Sequence, residues 1–93
     1  MNDVEILKIL KMDLQISVDG YDDYLSKTIE LSKAAIVREG ITLDEKSTED
    51  GMLVEMYAAY LYRKRRENVT MPRSLRYALN NKLISQKGST DNG

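Results

Sequence analysis

Apolar and polar positions along the chain repeat with a helical period almost throughout, and the pattern predicts four helices. The longest runs from Asp50 to Asn68, D-G-M-L-V-E-M-Y-A-A-Y-L-Y-R-K-R-R-E-N. It lacks proline, and its only glycine lies in the first turn. At about 100° per residue, Leu53, Tyr57, Tyr60, Leu61 and Lys64 share one face. Met52, Ala58, Ala59 and Tyr62 lie opposite, with Glu55 the only charge among them, and Arg63 and Arg66 follow one turn later. A helix apolar nearly all round must be covered nearly all round. Either a second chain covers part of it, or the fold buries it on three sides. The run Arg63-Lys64-Arg65-Arg66 places cations at its carboxyl end, where the helix dipole favours them.

The first helix is expected from Asp3 to about Asp13, with Asn2 as N-cap and Glu5 in the capping-box position. Val4, Leu7, Leu10 and Leu14 form its expected core stripe, widened by Ile6 and Ile9. Asp19-Gly20 reads as a turn, with Asp19 or Asp22 available to cap the second helix, about Tyr21 to Glu39. Tyr24, Leu25, Thr28, Ile29, Leu31, Ser32, Ala35 and Ile36 mark its inner face. Gly40 is the expected left-handed residue after the helix, with Ile41 as its apolar partner. The loop Thr42 to Glu49 is acidic. Ser47 suits the cap of the third helix, with Asp50 three residues on. Pro72 opens a fourth helix ending near Ser85, with Leu75, Ala78, Leu79 and Leu83 inward and Arg73, Tyr77, Asn80, Asn81 and Ile84 outward. Gln86 to Gly93 has no apolar residue and reads as a disordered polar tail. The fold class is therefore all-α: one small domain over residues 1–85, with the third helix packed by the other three.

Composition narrows the function. With 93 residues there is room for one core, and a chain this short hides only about 60% of its unfolded surface, which favours association. Lysine plus arginine number 14 against 15 acids, a net charge of −1, which weighs against a duplex-binding role. With no cysteine and no histidine, disulfides, thiolate metal sites and the commonest general base are excluded. No run reaches the ~20 apolar residues of a membrane span. Met1-Asn2-Asp3 lacks a signal peptide's basic-then-apolar layout, so a soluble cytoplasmic chain is expected. There is no phosphate loop, nucleophile elbow or ligand cluster. No enzyme activity, cofactor or metal is expected. Helix-turn-helix DNA binding stays open: Arg73, Arg76, Tyr77, Asn80 and Asn81 would face bases and Arg63 to Arg66 phosphates. The connection from Arg66 to Pro72 is long for that motif.

The segment D-G-M-L-V-E-M-Y-A-A-Y-L-Y-R-K-R, followed by M-P-R-S-L-R-Y-A-L-N-N-K-L, resembles the small head–tail connector proteins of tailed phages and prophages. These are also described as head completion or DNA-packaging adaptor proteins. The likeness reaches upstream through Y-D-D-Y-L-S-K-T-I-E-L-S-K-A-A-I and E-G-I, and covers about Val4 to Ser85. It is a whole-chain pattern and carries over no single functional side chain. It implies a structural virion protein that forms a homo-oligomeric ring beneath the portal, extends the DNA channel and joins head to tail. The implied partners are further copies, the portal protein, tail or head–tail joining proteins, and DNA that passes without specific recognition. The implied location is the neck at the capsid vertex, after assembly in the bacterial host cytoplasm.

A ring of identical chains needs two different patches that meet. The helical pattern leaves two such faces: Met52, Ala59, Tyr62 and Arg66 on the third helix, and Arg73, Tyr77, Asn80 and Ile84 on the fourth. Asp44, Glu45, Glu49 and Asp50 are candidates for a channel-facing or portal-facing element, although helix capping alone accounts for acids there.

Overall fold

The structure, a computed structural model, describes residues 1–91, with side chains as far as 88. Four helices follow in order: α1 (Asp3–Asp13), α2 (Asp22–Arg38), α3 (Thr48–Glu67) and α4 (Arg73–Asp91). There is no strand among the described residues. α3 is the hub and packs against α1, α2 and α4, as its all-round apolar pattern requires. The burial is intramolecular and three-sided: Leu53, Val54, Tyr57, Ala58, Ala59 and Tyr60 all belong to the core.

Local chemistry sets most of the helix ends. The Asn2 side chain accepts from the Glu5 amide at 2.9 Å, and Glu5 accepts from the Asn2 amide at 3.4 Å, closing the capping box. The Ser47 hydroxyl accepts from the Asp50 amide at 3.1 Å and starts α3. Gly40, with φ +100°, takes the left-handed position after α2, and Ile41 beside it is buried. Asn68, with φ 55°, closes α3 in the same way, its amide donating to the Lys64 carbonyl at 2.8 Å. At the start of α2 the expectation differs. Tyr21 is the N-cap and makes no side-chain cap bond. Asp19 and Asp22 turn instead to Lys11, at 3.0 and 2.8 Å.

The inner face of α1 is rotated from the expected one. Ile6 and Leu10 are its buried residues, whereas Val4 is 75% exposed. At about 100° per residue, the Val4–Leu7–Leu10–Leu14 stripe would carry Lys11 toward the interior. Rotation toward Ile6 leaves the Lys11 ammonium at the edge, where two aspartates meet it, and avoids burying an unpaired cation. In α2, Leu31 is exposed rather than inward. Thr28 and Ser32 are buried, their hydroxyls donating to the carbonyls of Tyr24 and Thr28 at 2.9 and 2.8 Å.

α4 lies on α3 through Leu75 and Leu79, both enclosed. Full enclosure of one such leucine contributes about 2 kcal/mol. Arg76 joins α4 to the end of α2 by a two-pronged pair with Glu39, at 2.9 and 3.3 Å. The helix continues past Ser85 to Asp91, so the expected break at Gln86 is corrected. The Gln86 amide donates to the Thr42 carbonyl at 2.9 Å and accepts from the Thr42 amide at 3.0 Å, fastening α4 to the loop after α2. Of the expected tail, positions 92–93 lie outside the described residues.

Candidate interaction surfaces

α3 has 20 residues and spans about 30 Å. Its two ends differ in charge and in construction. At the amino end the acidic loop is folded into a tight turn. The Asp44 side chain accepts from the Lys46 amide at 2.9 Å, and the Asp44 carbonyl accepts from the Ser47 amide at 3.0 Å. The Asp44 amide donates to Asp50 Oδ2 at 2.8 Å. Asp50 is only 3% exposed, and its Oδ1 lies 2.8 Å from Lys82 Nζ. This contact raises the Lys82 pKa. Asp50 is thus a structural ion-pair partner that ties α3 to α4, and it is not free to face a channel. Asp44, Glu45 and Glu49 are exposed, and none of the three forms an ion pair among the described residues.

At the carboxyl end Arg63, Lys64, Arg65 and Arg66 are all exposed. Three of them lie over tyrosine rings: Lys64 on Tyr60 at 5.8 Å, Arg65 on Tyr24 at 5.5 Å and Arg66 on Tyr62 at 5.4 Å. Tyr24 and Tyr62 meet edge to face at 6.3 Å. Tyr21, Tyr24, Tyr62, Arg65 and Arg66 line an open groove of about 440 Å³. Next to it, Asp13, Leu14, Gln15, Arg63 and Glu67 complete a second hollow of about 340 Å³ that shares Tyr62 and Arg66.

Below this end lies a second buried carboxyl. Glu55 is 3% exposed, and its Oε2 has no hydrogen-bond partner. Burial pushes its pKa up to about 8, helped by a hydrogen bond with the Asp13 carboxyl and opposed by the Arg63 charge. Asp13 in turn pairs with Arg63 at 3.4 Å. The sequence marked Glu55 as the lone charge on an apolar face but gave it no role. That isolation was the available signal.

Of the first candidate face, the structure brings together Tyr62 and Arg66, with Tyr62 half-buried. Met52 lies at the other end of the helix, against Met56 and Ala78. Ala59 between them is 2% exposed and belongs to the core, so the four do not form one surface. The second candidate face is intact. Arg73, Tyr77, Asn80 and Ile84 are all exposed along one side of α4, with Tyr77 at 62% and Ile84 at 68%. Arg76, proposed to read bases, is held by Glu39. Further exposed apolar residues lie on α1 (Val4, Met12) and on α2 (Leu31, Val37).

Among the described residues, no three or more Asp or Glu side chains are grouped so that they could hold a metal ion, and no helix is long and apolar enough to cross a membrane. No family model, curated protein or solved structure matches the chain.

Proposed function

We propose that the chain is a non-catalytic, cofactor-free head–tail connector subunit of the tailed-phage or prophage type. In this reading copies assemble as a ring under the portal, extend the DNA channel and join head to tail. The supporting observation is the outer side of α4. The core of the monomer closes without it, yet Tyr77 and Ile84 stand exposed in line with Arg73 and Asn80. Aromatic, arginine and asparagine side chains in one stripe suit a contact between proteins. The exposed apolar residues of α1 and α2 lie on other faces. A contact between unlike faces propagates, into a ring when the rotation closes and into a filament when it does not, whereas one self-complementary face stops at a dimer.

Tyr77→Asp tests the reading. The side chain contributes little to the monomer core, so far-ultraviolet circular dichroism is expected to stay unchanged while assembly is lost. A Tyr77→Asp variant that assembles like the wild type contradicts the reading.

A second reading, a DNA-binding or packaging accessory protein, is favoured by one observation. Lys64, Arg65, Arg66 and Arg73 are exposed and have no ion pair among the described residues. Exposed cations free of acids are what phosphates seek. Against a helix-turn-helix stand the five-residue connection 68–72 and the engagement of Arg76 with Glu39. Retention of duplex DNA that falls steeply with salt would favour this reading.

A further inference from the structure

The two ends of α3 are opposite in charge. At the amino end Asp44, Glu45 and Glu49 are exposed beside Lys46, while Asp50 is buried on Lys82; at the carboxyl end Lys64, Arg65 and Arg66 are exposed beside Glu67, while Arg63 pairs with Asp13. On the acidic side the turn is fixed by the Asp44 and Asp50 hydrogen bonds, and Glu45 and Glu49 form no ion pair among the described residues. The basic side is concave: the groove between Tyr21, Tyr24 and Tyr62, with Arg65 and Arg66 stacked on its walls. Both surfaces are held in place before anything binds, so little ordering cost attends their meeting. They lie at opposite ends of one helix about 30 Å long and cannot meet within one chain.

We infer that the Tyr–Arg groove at the carboxyl end of α3 receives the acidic turn of a second copy, with Glu45 and Glu49 set against Arg65 and Arg66. The inference rests on the ring reading and specifies one of its contacts. The contact is head-to-tail: each chain offers one turn and one groove, so contacts propagate from chain to chain and form a ring when the rotation between neighbours closes. An arginine stacked on a tyrosine keeps the edge of its guanidinium free, and that edge matches a carboxylate in two-pronged geometry. A nucleic-acid strand is the competing occupant, and the test separates the two.

The test is a reciprocal charge exchange on the full chain, read by sedimentation velocity and native mass spectrometry. One variant carries Glu45→Lys and Glu49→Lys, the other Arg65→Glu and Arg66→Glu. All four positions are exposed, and circular dichroism checks that both variants fold. Each variant alone places like charges together and is expected to associate ~100-fold or more weakly than the wild type. An equal mixture pairs lysine turns with glutamate grooves and glutamate turns with arginine grooves. It is expected to restore assemblies in which the two variants alternate. Wild-type association is expected to weaken as sodium chloride rises from ~0.05 to ~0.5 M, because the screening length shrinks.

A mixture that stays dissociated overturns the contact, as does normal assembly of either variant alone. If both variants assemble while Tyr77→Asp does not, this contact fails and the ring reading stands. If the wild type stays monomeric to millimolar protein, yet holds a labelled single strand that Arg65→Glu/Arg66→Glu releases, the groove is a nucleic-acid site and the inference is overturned.

Discussion

The two ends of α3 use charge in opposite ways. At the amino end, Asp50 is buried but satisfied by the Asp44 amide and Lys82, and it fastens α3 to α4. At the carboxyl end, Lys64, Arg65 and Arg66 stay at the surface with no ion pair among the described residues, set against tyrosine rings. The first arrangement holds the fold together. The second adds little to it and leaves its donors open. Removal of charges from the two ends should therefore give different results: lost stability at one, lost association at the other.

The largest expected effect is at the amino end. Lys82→Met leaves the Asp50 carboxylate buried beside an apolar chain, and loss of one partner of a buried pair costs about 3 kcal/mol. Urea denaturation checks this. A change below about 0.5 kcal/mol, the scale of an exposed pair, would show that the contact is solvated and would break the contrast.

Glu55 gives the next effect, and it depends on pH. The folded carboxyl keeps its proton up to about 8, whereas an unfolded glutamate releases it near ~4.3. Between those values the folded state binds more protons, so this group's contribution to stability falls as pH rises from about 4.5 through 8. Glu55→Gln keeps a neutral side chain of the same shape. It is expected to flatten this fall and to be more stable than the wild type above pH ~8, by the same linkage. Thermal melts from acid to mildly alkaline pH test the sign. Wild-type stability that rises over that window would contradict the proton assignment.

The smallest effect on stability is expected at the carboxyl end. Arg65→Ala and Arg66→Ala each remove one exposed ring contact, worth about 0.5–1 kcal/mol. Their effect on association should exceed their effect on melting. Equal effects on both would mean that the cluster is a stabilising feature of the monomer alone.

How much of this could be read from the chain depends on how local the cause is. Asn2, Gly40 and Ser47 act within a few residues, so helix starts and stops were legible at those points. The hub role of α3 followed from an apolar pattern with no polar side. The first helix was less legible because apolar residues at 4, 6, 7, 9, 10 and 14 permit two stripes. The choice between them rests on Lys11, whose partners Asp19 and Asp22 belong to the next element. The extension of α4 depends on Gln86 reaching Thr42, 44 residues away, which no periodicity reveals. Among the candidate site residues, the α4 stripe kept its exposure because its face has one clear polar side. The α3 stripe failed at Ala59 because a small apolar residue reads equally well as core or as contact. Asp50 stands at N3 after the Ser47 cap as expected, but its side chain takes the Asp44 amide and Lys82 from another helix, which the local pattern does not reveal.

The most direct test of the central claim is native mass spectrometry of the wild-type chain over a wide range of protein concentration. One large closed species of many identical chains is expected to grow in at the expense of monomer, with no dominant dimer. Monomer or dimer at every concentration would contradict it.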